Sequence, residues 1–401
     1  MKKIITLISI LIGSTTYSQT LKEYVEIAKT NNSNLKVKKA NYQLAKEKVN
    51  EVGTYQNTNI NLGVFVLTPE TRVGSQLFKV GINQQLPWFG EFDAEKNVVR
   101  TLAEVKQYDI ELSERDLIFQ VKKAYYEIYK QLAITQILKD NKLILKTYEN
   151  MALAALSNNR ATMSDVLRIR VQKNELHSKM FQNINSIEVL SKNFNKLLQR
   201  KNQGINVVDS LNVLDIMMFN QNIDKHPSIA KINEMEKVYK AQEKLIDLYK
   251  KPKISVGLDY IMVDGYSNTN PLQNGKDILM PQISIGIPIF NKKYKSQHRQ
   301  IKIQQEMLED EVENQKNNLS IALDKAQLEL DNAILTVVAA EKNKTEIQRA
   351  INVDLKAYET GILNYDKILR LQLQKIRFQL MEIEATKKAF LAKAKMEYLT
   401  N

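Results

Sequence analysis

One structural unit occurs twice in this chain: two short alternating strands, a very long helical segment, a turn and a second long helical segment. Ile60-Asn61-Leu62-Gly63-Val64 matches Ile254-Ser255-Val256-Gly257-Leu258, and Leu86-Pro87-Trp88-Phe89 matches Ile287-Pro288-Ile289-Phe290. At the far turn, Asp165-Val166-Leu167-Arg168 matches Lys367-Ile368-Leu369-Arg370, and the offset moves only from 194 to 201 to 202 between these anchors. Insertions are therefore confined to the strand hairpin and the helical turn, and a duplication is the economical reading. Each copy contributes one hairpin that is marginal alone.

The expected organisation is a first repeat over 19–203, holding a helix, a β-hairpin at 57–87 and a helical hairpin at 92–200. An inter-repeat segment over 204–226 follows, and then a second repeat over 227–401 with its β-hairpin at 253–290 and helical hairpin at 292–399. The first residues, Met1-Lys2-Lys3, an apolar run from Ile4 to Gly13 and small or polar residues to Ser18, have the zones of a secretory signal, expected over 1–18. No later stretch is apolar enough to span a bilayer as a helix, so membrane residence would fall to the strands or the surface.

Cysteine is absent, which removes disulfides and thiolate metal sites from consideration. The net charge of +13 comes from lysines scattered among glutamates on helix faces, with no basic-aromatic module, and nucleic acid is not an expected partner. His177, His226 and His298 are dispersed unlike a ligand set. The phosphate-loop, dinucleotide, Gly-x-Ser-x-Gly and His-Glu-x-x-His patterns are missing, so neither a cofactor nor an enzymatic activity is expected.

From Glu91 to Gln203 there is neither glycine nor proline, and from Asn291 to Asn401 only Gly361. Those two residue types are the costly ones in a helix interior. Apolar residues recur at three- and four-residue steps, as in Leu117, Val121, Ala124, Ile128 and Leu132. Helices are expected over 34–56, 92–156, 164–199, 227–250, 292–357 and 364–399. The second of these is roughly 100 Å long at 1.5 Å per residue.

Strands are expected over 57–67, 76–87, 253–263 and 278–289. Phe78, Val80 and Ile82 alternate with Lys79, Gly81 and Asn83, and Ile254, Val256, Leu258 and Tyr260 alternate with Ser255, Gly257 and Asp259. One apolar face and one polar or small face is the dyad pattern of a membrane barrel, although a half-solvated soluble sheet alternates similarly. Four strands cannot close such a barrel, and open edges are not tolerated in lipid. Three copies would give twelve strands, with the helices continuing as a tube. Pro87 and Pro288 fall at the strand-helix junctions, and Trp88, the only tryptophan, suits either a membrane-water interface or junction packing.

These residues resemble the outer-membrane efflux channel family typified by TolC. The resemblance runs from Leu21 to the C-terminus and is most specific at Asn159-Arg160-Ala161-Thr162-Met163-Ser164-Asp165-Val166-Leu167-Arg168, which is similar to the family's G-R-A-S/T-x-x-D-V-L-R turn, and at its partner from Tyr358 to Leu369. Asn159 stands where the family has glycine, and Asp366 stands one position early. The resemblance implies a mainly α fold with a membrane β-barrel: a homotrimer whose twelve-stranded barrel in outer-membrane lipid continues into a long periplasmic α-helical barrel. It implies a passive export conduit working with a periplasmic adaptor (a membrane fusion protein) and an inner-membrane transporter of the RND or ABC type. The alternative is a structural coiled-coil envelope protein, which leaves the strands without a use. Asp165, Arg168, Tyr365, Asp366 and Arg370 are the expected gate at the helical tips, and Asn159, Arg160, Ala161, Thr162, Ser164 and Gly361 the expected adaptor-docking surface. The chain stops at the second repeat's equivalent of Gln199, so only the segment from Gly204 to His226 is expected to form an equatorial belt.

Overall fold

The computed structural model describes residues 20–207, 211–213, 222–269, 271–290, 292–359 and 365–400. The expected signal segment, part of the inter-repeat segment and Gly361 lie outside the described residues. In chain order the elements are α1 (Leu21–Asn31), α2 (Ser33–Glu51), β1 (Asn59–Val64), β2 (Glu70–Thr71), β3 (Gly74–Leu86), α3 (Glu91–Ser157) and α4 (Met163–Leu197). They continue with α5 (Pro227–Tyr249), β4 (Lys253–Asp264), β5 (Ile278–Gly286), α6 (Lys292–Glu359) and α7 (Tyr365–Thr400). The chain is mainly helical with one sheet, and no described helix is both long and apolar enough to cross a membrane.

Contacts group the chain into two compact units, each fed by both repeats. One is Lys36–Ser113 with Asp224–Asn318, and the other is Met1–Leu35 with Glu114–Ile223 and Leu319–Asn401. The first unit holds all the strands. Their order is β1-β3-β4-β5, antiparallel throughout, with β2 paired to β3 as an addition the sequence pattern did not reveal. Each hairpin pairs within its own repeat, and β3 with β4 joins the two, in a register that sets Gly81 opposite Asp259 and Leu86 opposite Ile254.

Several boundaries differ from expectation. α2 ends at Glu51 rather than running to 56, because Gly53 adopts φ +65° and turns the chain away, with its N–H donating to Glu95 Oε2 at 3.1 Å. β1 covers 59–64 of the expected 57–67, and β5 ends at Gly286, two residues before Pro288. α1 was not expected as a separate helix. Thr20 and Glu23 close a capping box at its start, and its Tyr24, wholly buried, packs edge-on against Phe194 at 5.1 Å.

In the helical unit a core cluster threads α3, α4 and α7 through Leu138, Leu145, Tyr148, Val166, Ile169, Ile368 and Leu369. The described part of the inter-repeat segment is fastened to this unit by two tyrosines. The Asn206 N–H donates to Tyr24 Oη at 3.0 Å, and the Leu211 N–H to Tyr129 Oη at 3.3 Å.

Candidate functional site

Register assigns every strand residue to a face. Ile60 opposes Ile82, Leu62 opposes Val80, Val256 opposes Ile283 and Ile254 opposes Ile285, so the apolar residues of four strands share one side. That side is the exposed one: Val64 is 72% and Ile283 74% accessible. The opposite side carries Asn61, Gly81, Gly257 and Asp259, and Asp259 is only 7% accessible. Its carboxylate pairs with Lys79 and accepts a hydrogen bond from the Gln282 side-chain amide. The apolar side is thus exposed along all four strands, while the polar side is shielded around β3 and β4 and open on β1 and most of β5.

The expected polar lining does not extend to the loop end, where Ile261 and Val263 share the buried face with Asp259. Loop packing accounts for them. Gly74 of the first hairpin lies against Val263, the Gly275 N–H donates to Val73 O and the Tyr266 hydroxyl donates to Thr71 O, both at 2.7 Å. The two hairpin loops are therefore tied together.

Pro87 follows the last residue of β3, and Pro288 stands two residues beyond β5. Between Pro87 and α3 the Trp88 backbone N–H donates to Glu91 Oε2 at 3.0 Å, while the indole meets Phe89 edge-on at 6.3 Å. Phe89, Ile289 and Phe290 are 78–89% exposed. Trp88 thus packs against Phe89 at the first junction, and both junctions carry exposed apolar residues.

The first helical turn is built by local rules. Asn159 has φ +55°, its N–H donates to Leu156 O and that of Arg160 to Ala155 O, a Schellman closure of α3 with asparagine in the left-handed position. Thr162 then caps α4, its hydroxyl accepting from the Asp165 N–H at 3.3 Å while the Asp165 carboxylate accepts from the Thr162 N–H at 2.9 Å. Thr162 and Asp165 thus have a local role in starting α4. Arg160 and Ser164 are exposed and Ala161 is half-buried.

Asp366, near the start of α7, behaves differently. It accepts from Arg168 Nη1 of α4 at 3.0 Å and pairs with Arg370 one turn along its own helix. The structure brings Arg168, Asp366 and Arg370 together. Tyr365 is 2% exposed, with its ring against Tyr148 and Tyr358 at 5.5 Å each, and burial pushes its hydroxyl pKa up. It supports the turn by packing.

Two polar groups of the helical unit escaped sequence reasoning. Glu149 is 8% exposed and is held by Lys173 and by Arg170 Nε at 2.6 Å, which keep its carboxyl below the usual range. Asn141 and Gln372, each 1% exposed, meet at 2.6 Å, and Asn141 also donates to Gln379 at 2.9 Å and to Ile137 O at 2.8 Å. A polar residue on an apolar helical stripe was the available signal for both.

No protein-family model and no curated protein matches this sequence. Solved structures match over nearly the whole chain. CusC, described for its folding and transmembrane channel formation, superposes with TM-score 0.77 at 14% identity, covering 95% of this chain and 92% of its own. The outer membrane protein VceC of Vibrio cholerae gives 0.72 at 10% identity, covering 94% and 95%. The open state of the Neisseria gonorrhoeae MtrE outer membrane channel gives 0.72 at 15% identity, covering 95% and 89%. The duplicated strand-helix chain therefore has the fold of these outer-membrane proteins.

Proposed function

We propose that this chain is one protomer of a trimeric outer-membrane conduit of the TolC-like efflux family, exporting solutes from periplasm to exterior. The observation that carries this reading is the polarity of the sheet. Its apolar side chains are exposed along all four strands, and its polar side holds a buried carboxylate paired with Lys79. Lipid outside and water within account for that arrangement, and a soluble coiled-coil spacer does not.

The sheet edges support the trimer. β1 and β5 are the outer strands of the described sheet. In lipid those edges must pair, and three copies of β1, β3, β4 and β5 supply the twelve strands of a closed ring. The helices supply exposed apolar surface for neighbouring copies, including Phe181 and Val189 of α4 and Leu328 and Leu335 of α6. Mass measurement of the detergent-solubilised protein should give three chains; a stable monomer would end the reading.

In this reading the turns are the periplasmic tips, with Asp165, Arg168, Asp366 and Arg370 around the gate, Tyr365 packed behind them, and an adaptor meeting the surface of Asn159, Arg160, Ala161, Thr162, Ser164 and Gly361. An inner-membrane transporter of the RND or ABC type supplies the motive force. Arg160, exposed at the turn, offers a five-donor fork to a partner's carbonyls or carboxylates. Arg160→Glu should abolish export while trimer assembly and bilayer conductance persist. Export at the wild-type level would remove this surface from docking.

A further inference from the structure

Asp259 is the one acidic residue on the polar face of β3, β4 and β5, and it stands where the two repeats join. Lys79 lies opposite Ile261 and Gln282 opposite Gly257, so each reaches Asp259 diagonally, one along β3 and the other along β5. Directly across from Asp259 is Gly81, where an added Cβ would crowd the carboxylate oxygen. The space for the acid is thus provided by a missing side chain on the neighbouring strand. A carboxylate so enclosed needs a charged partner and a donor for its remaining lone pairs, and it has both.

We propose that Lys79, Asp259 and Gln282 form a charge-compensated belt, repeated three times around the strand lumen, that keeps this part of the conduit from discriminating solutes by charge. The inference rests on the conduit reading. Rings of like charge set ion preference in a pore, and low-dielectric walls focus their field. Three uncompensated aspartates would favour cations and three uncompensated lysines anions. With each acid matched to a base on the adjacent strand, neither field develops, which suits an exit for solutes of either sign.

The absence of cysteine makes the test clean, since Ser284→Cys on the polar face of β5 is then the only thiol. Purified trimer in lipid vesicles is treated with membrane-impermeant thiosulfonates of opposite charge, and the ratio of the two rates is read. With Lys79 and Asp259 intact the ratio should match that of a small free thiol. Asp259→Asn should shift it several-fold toward the anionic reagent, Lys79→Gln several-fold toward the cationic one, and the double variant should restore it. An unmoved ratio in both single variants overturns the belt. So does failure of both singles to assemble while the double assembles with the original ratio, which would assign the triad to strand register alone. If Ser284→Cys is unreactive while Leu258→Cys on the opposite face reacts, the conduit reading itself has failed.

Discussion

The strand sheet and the helical unit obey opposite polarity rules. In the sheet Ile283 is 74% exposed and Asp259 is buried. In the helical unit Ile169 is fully buried and the Arg370 side chain is 79% exposed. Ile169 sits in a core shielded from solvent, whereas Ile283 belongs to a continuous apolar strand face, and the hydrophobic effect rewards such a face only where something apolar covers it. On the conduit reading the exposed face of the sheet meets hydrocarbon, and the apolar residues exposed on α4 and α6 meet neighbouring copies.

The sharpest way to break this comparison is a lysine on each face of one strand. Ile283→Lys, on the apolar face of β5, should cost about 2–4 kcal/mol if it lies near the bilayer midplane, and the cost would recur in every copy of the proposed trimer. Ser284→Lys, one residue on and facing the other way, should be tolerated. Urea titration of folding into lipid vesicles measures both. Equal sensitivity would mean that the sheet has no lipid side.

The helical counterpart is Ile169→Ala. This side chain of α4 is fully buried in the cluster with Leu145, Val166 and Ile368. Its truncation should lower stability by about 2–5 kcal/mol, depending on how far the site collapses. Thermal unfolding followed by helix circular dichroism reads it. Val171→Ala, 58% exposed in the single chain, should cost less unless a neighbouring copy covers it.

What was legible in the sequence follows the same division. Helices without glycine or proline declared themselves, and α3 and α6 lie within two residues of the expected 92–156 and 292–357. The duplicated strand anchors were equally plain, because alternation survives with only local pattern as its cause. Features set by long-range neighbours were not visible. β2 exists only as a partner of β3, and Asp259 looked like one polar residue of an alternating strand until register brought Lys79 and Gln282 beside it. The turn motif was read correctly as a turn, with Asn159 in the left-handed position. The division of labour between its carboxylates was not legible, since both stand near a helix start and only packing distinguishes them.

Within the helical unit, Glu149 is a buried charge whose cost is offset by Lys173 and Arg170. Its folded pKa lies below the unfolded carboxylate value of about 4.3. The group therefore stabilises the fold above that value, and its contribution is lost as pH falls through the lowered folded pKa. Glu149→Gln should lower the melting temperature at pH 7, and the gap to the wild type should close on acidification below about pH 4. A gap unchanged by pH would show that shape, not charge, is what the site requires.

The smallest effect on stability, and the most informative for the tips, is expected at the two aspartates near the turns. Asp165 is occupied within its own turn by the Thr162 cap, whereas Asp366 bridges Arg168 of α4 and Arg370 of α7. The arginine side chains are 59% and 79% exposed, so the ion pairs themselves should contribute only about 0–1 kcal/mol. Their consequence lies in position, since they connect helices that arrive from the two repeats. Asp366→Ala should leave the melting temperature nearly unchanged but release α4 from α7, raising single-channel conductance in planar bilayers and weakening cation preference. Asp165→Ala should do the reverse, fraying the start of α4 with little change in conductance. If both variants conduct like the wild type, neither carboxylate belongs to a gate. If Asp165→Ala alone opens the channel, the cap is the constraint and the Arg168-Asp366-Arg370 bridge is incidental.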